Sequence, residues 1–437
     1  MERRRCNHQR STNMHFVNHC NRNKKVPFSE GILNTLSSDG GLLVPASFPQ
    51  APPVNNQSFA EYAGQILALF TKSDPFSELT EACAHAAFSF APKIQPVGEN
   101  HFLELFHGPS LSFKDFGAQF LAQYMSRLPH KKERLILVAT SGDTGSAVAA
   151  AYHNIKNVRV VILFPKEGVS ARQAHQLSCW GDNILTLAVD GSFDDCQRIV
   201  KHILTHSESL KQYELTTANS INIGRLLPQV AYYAYASHLY QSSQSCAANI
   251  VVPSGNLGNV TACCWAKAMG CPIDKIVIAQ NSNRSVVDYE NTGVMEPKPS
   301  IPTLANAMDV GNPSNFQRLL ALYPSFSSFK SHLRATSARD DDIKRYIAST
   351  YLDHQYIICP HTAAGVYATN TGDYNQEQWL IAATAHPSKF ETIVEPLIGK
   401  AVPVPEALAN QLAFKSLAID TPATVGGVLN AIKTRAD

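Results

Sequence analysis

Phe106–Gln119 reads FHGPSLSFKDFGAQ, a turn running into a helix with one lysine at its start. His107-Gly108-Pro109 is a turn cluster. Ser112 precedes Asp115 by three residues, the spacing of a capping box with Asp in the acidic place. Phe113, Phe116, Gly117, Phe120, Leu121 and Tyr124 then recur at helical intervals, which predicts one buried face of an amphipathic helix. Lys114 lies off that stripe in the first turn, with small neighbours, Gly117 and Ala118, expected to leave space beside it.

A cation there is disfavoured twice. The first helical turn is the positive end of the peptide dipoles. Phe113 and Phe116 remove water, which also penalises the charged form. Both effects push Lys114 towards a neutral amine. Neutral amines condense with aldehydes, and pyridoxal phosphate (PLP) is the commonest protein-bound aldehyde. The alternative is a solvated lysine whose stem covers Phe113.

The whole chain has 437 residues, enough for two or three domains. A net charge of +2 gives no general case for nucleic acid, and no nucleic-acid or membrane partner is expected. No run of 18 apolar residues predicts a membrane-spanning helix. Arg3, Arg4, Arg5, Arg10, Arg22, Lys24 and Lys25 face only Glu2 in the first 25 residues, which reads as a disordered basic tail. No apolar segment follows it, against a secretory signal; an Arg-rich, acid-poor start has some likeness to a transit peptide. Cys6, His8, His15, His19 and Cys20 match no standard metal-ligand spacing, and no metal is expected. Cys179, Cys196, Cys263 and Cys264 lie in apolar or helical segments and read as small core residues in a reducing cytoplasm.

The N-terminal side, residues 26–100, reads as a mostly helical layer, with helices from Phe28 and over Ser58–Phe70 and a short strand at 42–45. Beyond it, apolar runs at 101–106, 134–139, 158–164, 184–189, 248–253, 275–280, 356–359 and 380–383 predict buried strands. They alternate with helices over 146–153, 173–180, 194–207, 224–240 and 260–269. That alternation predicts parallel α/β units. Residues 126–224 form one small lobe in this reading, and 101–125 with 225–437 a larger one. Loops at the carboxyl ends of such strands are where ligands bind.

Ser254–Asn259, SGNLGN, is the best anion site in the sequence, because two glycines allow close backbone approach and a helix N-terminus follows. A plain β–α turn would also use Gly and Asn. Thr140–Gly145 offers hydroxyls, amides and one carboxylate, Asp143, which reads equally as a helix cap. Asn219–Arg225 is a polar cluster before a helix, in which Arg225 suits a phosphate or carboxylate by its planar fork or serves as an ordinary surface arginine. Gly311–Asn315 is a further polar turn of the same ambiguous kind.

Together, FHGPSLSFKDFGAQF, ATSGDTGSAVA, VVILFP, ANSINIGR, VPSGNLGN, NAMDVGNPSNF, CPHTAAGVYA and TAHPSKF resemble, in order, the threonine synthase family, over about Val26 to Gly399. The bacterial and fungal branch, with an extra N-terminal domain, is the nearest. Ser110 and Ser112 stand where Thr and Ala are usual, and Leu257 replaces the usual Phe. The resemblance implies a fold type II PLP enzyme, α/β, with the cofactor between two parallel-sheet lobes.

It also implies residue roles. Lys114 would be the Schiff-base lysine and proton shuttle. Gly255, Asn256, Leu257, Gly258 and Asn259 would surround the cofactor phosphate, Thr384 would meet the pyridine nitrogen, and Asp143 would face the cofactor. Ser141 and Thr144 would line the substrate carboxylate, while Asn222, Arg225 and Asn312 are candidates for the substrate side. The implied reaction converts O-phospho-L-homoserine and water to L-threonine and phosphate, by γ-elimination and β-addition of water. Same-fold rivals are a threonine-synthase-like phospho-lyase and a serine/threonine dehydratase; a non-catalytic PLP-binding protein and a nucleotide-binding oxidoreductase are more distant. The expected partner is the small-molecule substrate, and the expected assembly a monomer or homodimer.

Overall fold

The computed structural model describes residues 14–35, 41–206 and 208–435. Among these, the strands form three sheets. The larger body is built on the order Leu333–Ser337, Ile273–Gln280, Ala248–Pro253, Leu380–Ala383, Asn100–Glu104, Lys93–Val97. All neighbours are parallel except the Lys93–Val97 edge, which forms an antiparallel hairpin with Asn100–Glu104. The second sheet is wholly parallel: Ile419–Pro422, Ile184–Asp190, Val158–Pro165, Arg134–Ala139, Glu214–Thr217. The uninterrupted apolar runs are explained by this. Every residue of Arg134–Ala139 is buried, as parallel strands covered on both faces require.

The helix Lys114–Arg127 joins these parts, with Phe116, Phe120, Leu121 and Tyr124 buried as the periodicity predicts. Phe116 packs edge-on against Phe59 at 5.3 Å and Phe90 at 4.9 Å, and tilted against Tyr232 at 5.0 Å. Phe59 opens the helix Phe59–Thr71, which starts at a complete Ser58–Glu61 capping box. The N-terminal layer is thus riveted onto the lysine-bearing helix through aromatic side chains, each pair adding about 0.5–1.5 kcal/mol beyond its buried area.

Several expectations are corrected. Residues 14–25 are not a disordered tail. Phe16–Asn18 pairs antiparallel with Lys25–Val26 and with Leu43–Pro45, and Phe16 and Val17 are buried. Charge counting missed this because the strand is three residues long; the part of the tail before residue 14, with Cys6 and His8, lies outside the described residues. Residues 356–359 form no strand, since the slots beside Leu380–Ala383 are taken by Ala248–Pro253 and Asn100–Glu104. They lead instead into the helix Pro360–Thr369, which Cys359 caps. The strand Leu333–Ser337 was not anticipated, because its burial is broken and polar rather than a continuous apolar run. The chain's last strand, Ile419–Pro422, adds to the smaller sheet beside Ile184–Asp190, so the C-terminal stretch does not stay with the larger body.

The start of the lysine-bearing helix also differs. Ser112 does not cap it: the Ser112 hydroxyl meets that of Ser110 at 3.1 Å, and the Asp115 carboxylate accepts the Ser110 amide at 2.9 Å. The space expected beside Lys114 is filled. A Cβ on Gly117 would collide with the backbone carbonyl of Arg225, so the glycine lets two helices approach.

Candidate active site

Strand pairing sets the position of Lys114. Asn100–Glu104 and Leu380–Ala383 run parallel side by side, and their following loops stay zipped together. Leu105 N–H donates to Ala383, Phe113 N–H to Thr384, and His386 N–H to Leu111, around a bridge between Ser112 and Ala385. Lys114 is therefore carried to the carboxyl end of the large sheet beside Thr384 and the turn that follows it. There it opens onto a cavity of about 460 Å³, enclosed by loops from both large sheets.

The cavity wall gathers Lys114, Ser141, Asp143, Thr144, Arg225, Gly255, Asn256, Leu257, Gly258, Asn259, Asn312 and Thr384. Asn222 is not among them. Its amide donates to Ile32 and Thr217 carbonyls at 2.9 and 2.8 Å, and its oxygen accepts Gly224 N–H at 2.9 Å. Fully engaged and buried, it ties the N-terminal layer to a helix start and cannot serve a substrate phosphate.

The lysine side chain is 15% exposed, at the cavity wall, and its ammonium form is disfavoured. Burial lowers its pKa most, Lys389 and Arg225 lower it further, and Asp143 opposes them. Its Nζ lies 4.4 Å from the Phe113 ring centre and 3.5 Å from Asp143 Oδ2. The alternative of a solvated lysine with its stem over Phe113 is not what is found: Nζ itself lies over the ring, at the cavity wall.

Asp143 is the first residue of the helix Asp143–Tyr152, which begins three residues earlier than the alanine-rich pattern suggested. Its Oδ1 meets Lys389 Nζ at 2.8 Å and Gln173 Nε2 at 3.0 Å. Burial alone would raise its pKa, but the ammonium groups of Lys389 and Lys114 hold it well below the usual carboxylate range. It is neither a simple cap nor a free carboxylate. Lys389, Gln173 and His361 were not anticipated. Lys389 and His361 lie within two quoted motifs, TAHPSKF and CPHTAAGVYA, yet nothing local marks either as facing Asp143 or the cavity. His361 Nε2 accepts the Ala307 amide at 3.1 Å, and burial lowers its pKa to about 4, so the ring is neutral at ordinary pH.

The opposite wall is an anion cradle. Ala248–Pro253 ends in Ser254–Leu257, and the helix Gly258–Ala268 follows. Gly258, Asn259 and Val260 form that helix's first turn, whose amides have no intrahelical acceptor. Leu257 holds a left-handed conformation, φ +59°, to start it, a strain that a buried leucine carries only where the loop shape is over-determined. A Cβ on Gly255 would lie 2.6 Å from Met308 Cα, so only glycine lets the 305–308 segment close over the loop. Asn256 is locked by Ser220, Ser314 and Asn315. Asn259 Oδ1 accepts hydroxyls from Tyr232 and Tyr233 at 2.6 and 2.7 Å, leaving its buried Nδ2 without an acceptor. Arg225 Nε is likewise buried and unpartnered, while Nη1 donates to the Ala218 carbonyl at 2.5 Å.

These features fit pyridoxal phosphate. An orphaned donor, Asn259 Nδ2, and a helix start await an acceptor-rich anion, and a lysine whose pKa is lowered by burial stands across the same cavity.

Comparison with known proteins follows the same line. A family described as pyridoxal-phosphate dependent enzyme matches residues 97–384, and one described as threonine synthase N terminus matches residues 15–87. The chain is 39% identical over 405 residues to the threonine synthase of Buchnera aphidicola subsp. Baizongia pistaciae, covering 90% of this chain and 93% of that one. The crystal structure of threonine synthase from Escherichia coli superposes with a TM-score of 0.86 at 32% identity, over 96% of this chain and 99% of that one. A PLP-bound threonine synthase from Brucella melitensis gives 0.88 at 28% identity, with the same coverage of both chains.

Proposed function

The chain belongs to the threonine synthase family of pyridoxal-phosphate-dependent enzymes, and on that premise we propose that its cavity converts O-phospho-L-homoserine and water to L-threonine and phosphate. The carrying observation is the juxtaposition of a half-buried lysine, its pKa lowered, with a glycine-asparagine cradle across one cavity. Bound in that cradle, the cofactor would supply an electron sink that makes the carbon–hydrogen bonds next to the captured amine acidic.

The chain's own residues do the rest. Gly255, Asn256, Leu257, Gly258 and Asn259 would hold the cofactor phosphate through amides and Asn259 Nδ2. Thr384, in the cavity wall, would offer a hydroxyl and not a carboxylate to the cofactor ring, which would moderate its electron withdrawal. Lys114 holds the cofactor and then, as a free neutral amine at Nζ, accepts and returns the protons that the substrate carbons exchange. Ser141 and Thr144 receive the substrate carboxylate. Arg225 and Asn312 receive its phosphate, Arg225 by the unpartnered Nε. Closure of the lobes excludes bulk water until the addition step. No described helix is long and apolar enough to cross a membrane. The buried free thiols Cys263 and Cys264 support a reducing cytoplasm.

The test follows phosphate and threonine together from purified holoenzyme given O-phospho-L-homoserine. Equal release is expected. Phosphate with 2-oxobutanoate in place of threonine would give the site to a lyase instead. Lys114→Ala is expected to abolish turnover, and substantial residual activity would remove Lys114 from its role.

A further inference from the structure

Asp143 faces two lysines, and only one of them belongs to the reaction as proposed. Lys389 is completely buried, in the turn after Leu380–Ala383. Its Nζ donates to the Ser110 carbonyl at 2.6 Å and pairs with Asp143 Oδ1 at 2.8 Å, while Lys114 reaches the other oxygen at 3.5 Å. The turn is fixed from the smaller lobe as well: Ser170 Oγ donates to the Lys389 carbonyl at 2.9 Å and Arg172 to that of Ser388 at 2.7 Å. A buried ammonium with this many constraints is not an incidental surface charge.

Resting on the reading of Lys114 given above, we propose that Lys389 is a positioning residue that takes up the charge of Asp143, so that Lys114 is released as a neutral amine. A buried carboxylate demands a counter-charge. With Lys389 on Oδ1 the pair is neutral, and Lys114 has no net anion to hold its proton. Without Lys389, Asp143 would recruit Lys114 as an ammonium, which can neither attach the cofactor aldehyde nor accept a substrate proton.

The other groups around the cluster do not supply this function. Arg225, on the helix Ile223–Gln244, opposes protonation of Lys114 but contacts no carboxylate. His361 and His386 are both neutral at ordinary pH, with pKa values lowered to about 4 by burial. Asp115 has its pKa raised to about 6, by burial against the opposing pull of the Ser110 hydrogen bond and Lys389. It is the second anion that Lys389 faces. Tyr152 and Cys359 are raised by burial and stay protonated.

The decisive readout is cofactor attachment rather than turnover. Attachment joins the neutral Lys114 nitrogen to the aldehyde carbon and releases water. Apo-protein is mixed with pyridoxal phosphate across a pH series, attachment is followed by absorbance, and borohydride trapping with peptide mapping identifies the lysine. In Lys389→Met the attachment midpoint is expected to move up by about one pH unit or more, since an opposite charge at this range raises a lysine by that much. Lys389→Arg keeps the charge and the original midpoint. The double variant Asp143→Asn/Lys389→Met has no carboxylate paired with Lys114 and returns the midpoint towards that of the unaltered chain. If Lys389→Met does not fold, Asp143→Asn alone reads the same coupling and lowers the midpoint. An unshifted midpoint in a folded single variant, or a Lys389→Met shift that persists in the double variant, overturns the proposal. Trapped cofactor on a lysine other than Lys114 in the unaltered chain overturns the reading of Lys114 instead.

Discussion

The two loops that face each other across the cavity have the same construction and opposite content. Arg134–Ala139 and Ala248–Pro253 are both central parallel strands that break into a short loop and a helix N-terminus. In the first, Thr140 Oγ1 accepts the amides of Gly142 and Gly145, each at 3.0 Å, and the helix opens on Asp143. Two of its amides are satisfied internally and its anion is built in. In the second, the side chains of Asn256 and Asn259 accept hydrogen bonds from outside the loop, and the helix start keeps open donors. A β–loop–helix unit therefore has no fixed ligand preference. Whether it receives an anion or a cation depends on whether a side chain already occupies its amides.

The sharpest way to break that contrast is to give the second loop a charge like the first. Asn259→Asp keeps an acceptor for Tyr232 and Tyr233 but sets a carboxylate against the cofactor phosphate. Cofactor affinity, measured by titration of apo-protein, is expected to fall at least about 100-fold, roughly 3 kcal/mol. Near-normal affinity would show that the phosphate sits elsewhere.

A smaller effect is expected from shape alone. Gly255→Ala places a methyl group against the Met308 backbone, which cannot rotate away. The loop must shift, and cofactor affinity is expected to fall about tenfold, the cost of mild overpacking. A substitution without effect would mean that Gly255 is not needed for close approach.

The mildest test concerns the first loop. Thr140→Val removes the acceptor of two buried amides, at about 1–3 kcal/mol of stability in denaturant titration. Cofactor affinity is expected to stay within a factor of about three, because the cofactor phosphate is held by the second loop and not by these two amides. A parallel loss of affinity and stability would erase the distinction between the loops.

Legibility followed the range of the interaction. The helix bearing Lys114, the strand before each loop and the glycines of the cradle all rest on contacts within a few residues or on an apolar run. The helix expected over Ser58–Phe70, found at Phe59–Thr71, was legible for the same reason. The capping box read at Ser112–Asp115 failed, although its spacing was right, because Asp115 was drawn back to the Ser110 amide inside a loop already zipped to another strand. Asn222 looked like a ligand residue because polar clusters before helices often are. Its partners Ile32 and Thr35 come from the N-terminal layer, which no local pattern could place against it.

The order of residues was therefore enough to specify a lysine at a helix start, an anion-binding turn and alternating α/β units, since each is encoded by neighbours one or two turns away. Folding alone chose the electrostatic partners. Lys389 reaches Asp143 only because Leu380–Ala383 lies beside Asn100–Glu104 while Asp143 arrives from the other sheet. Likewise Arg225 lies against Lys114 only because Gly117 admits its helix. Charge–charge energies depend on distance and on the exclusion of water, and both are properties of the packed chain rather than of its spacing.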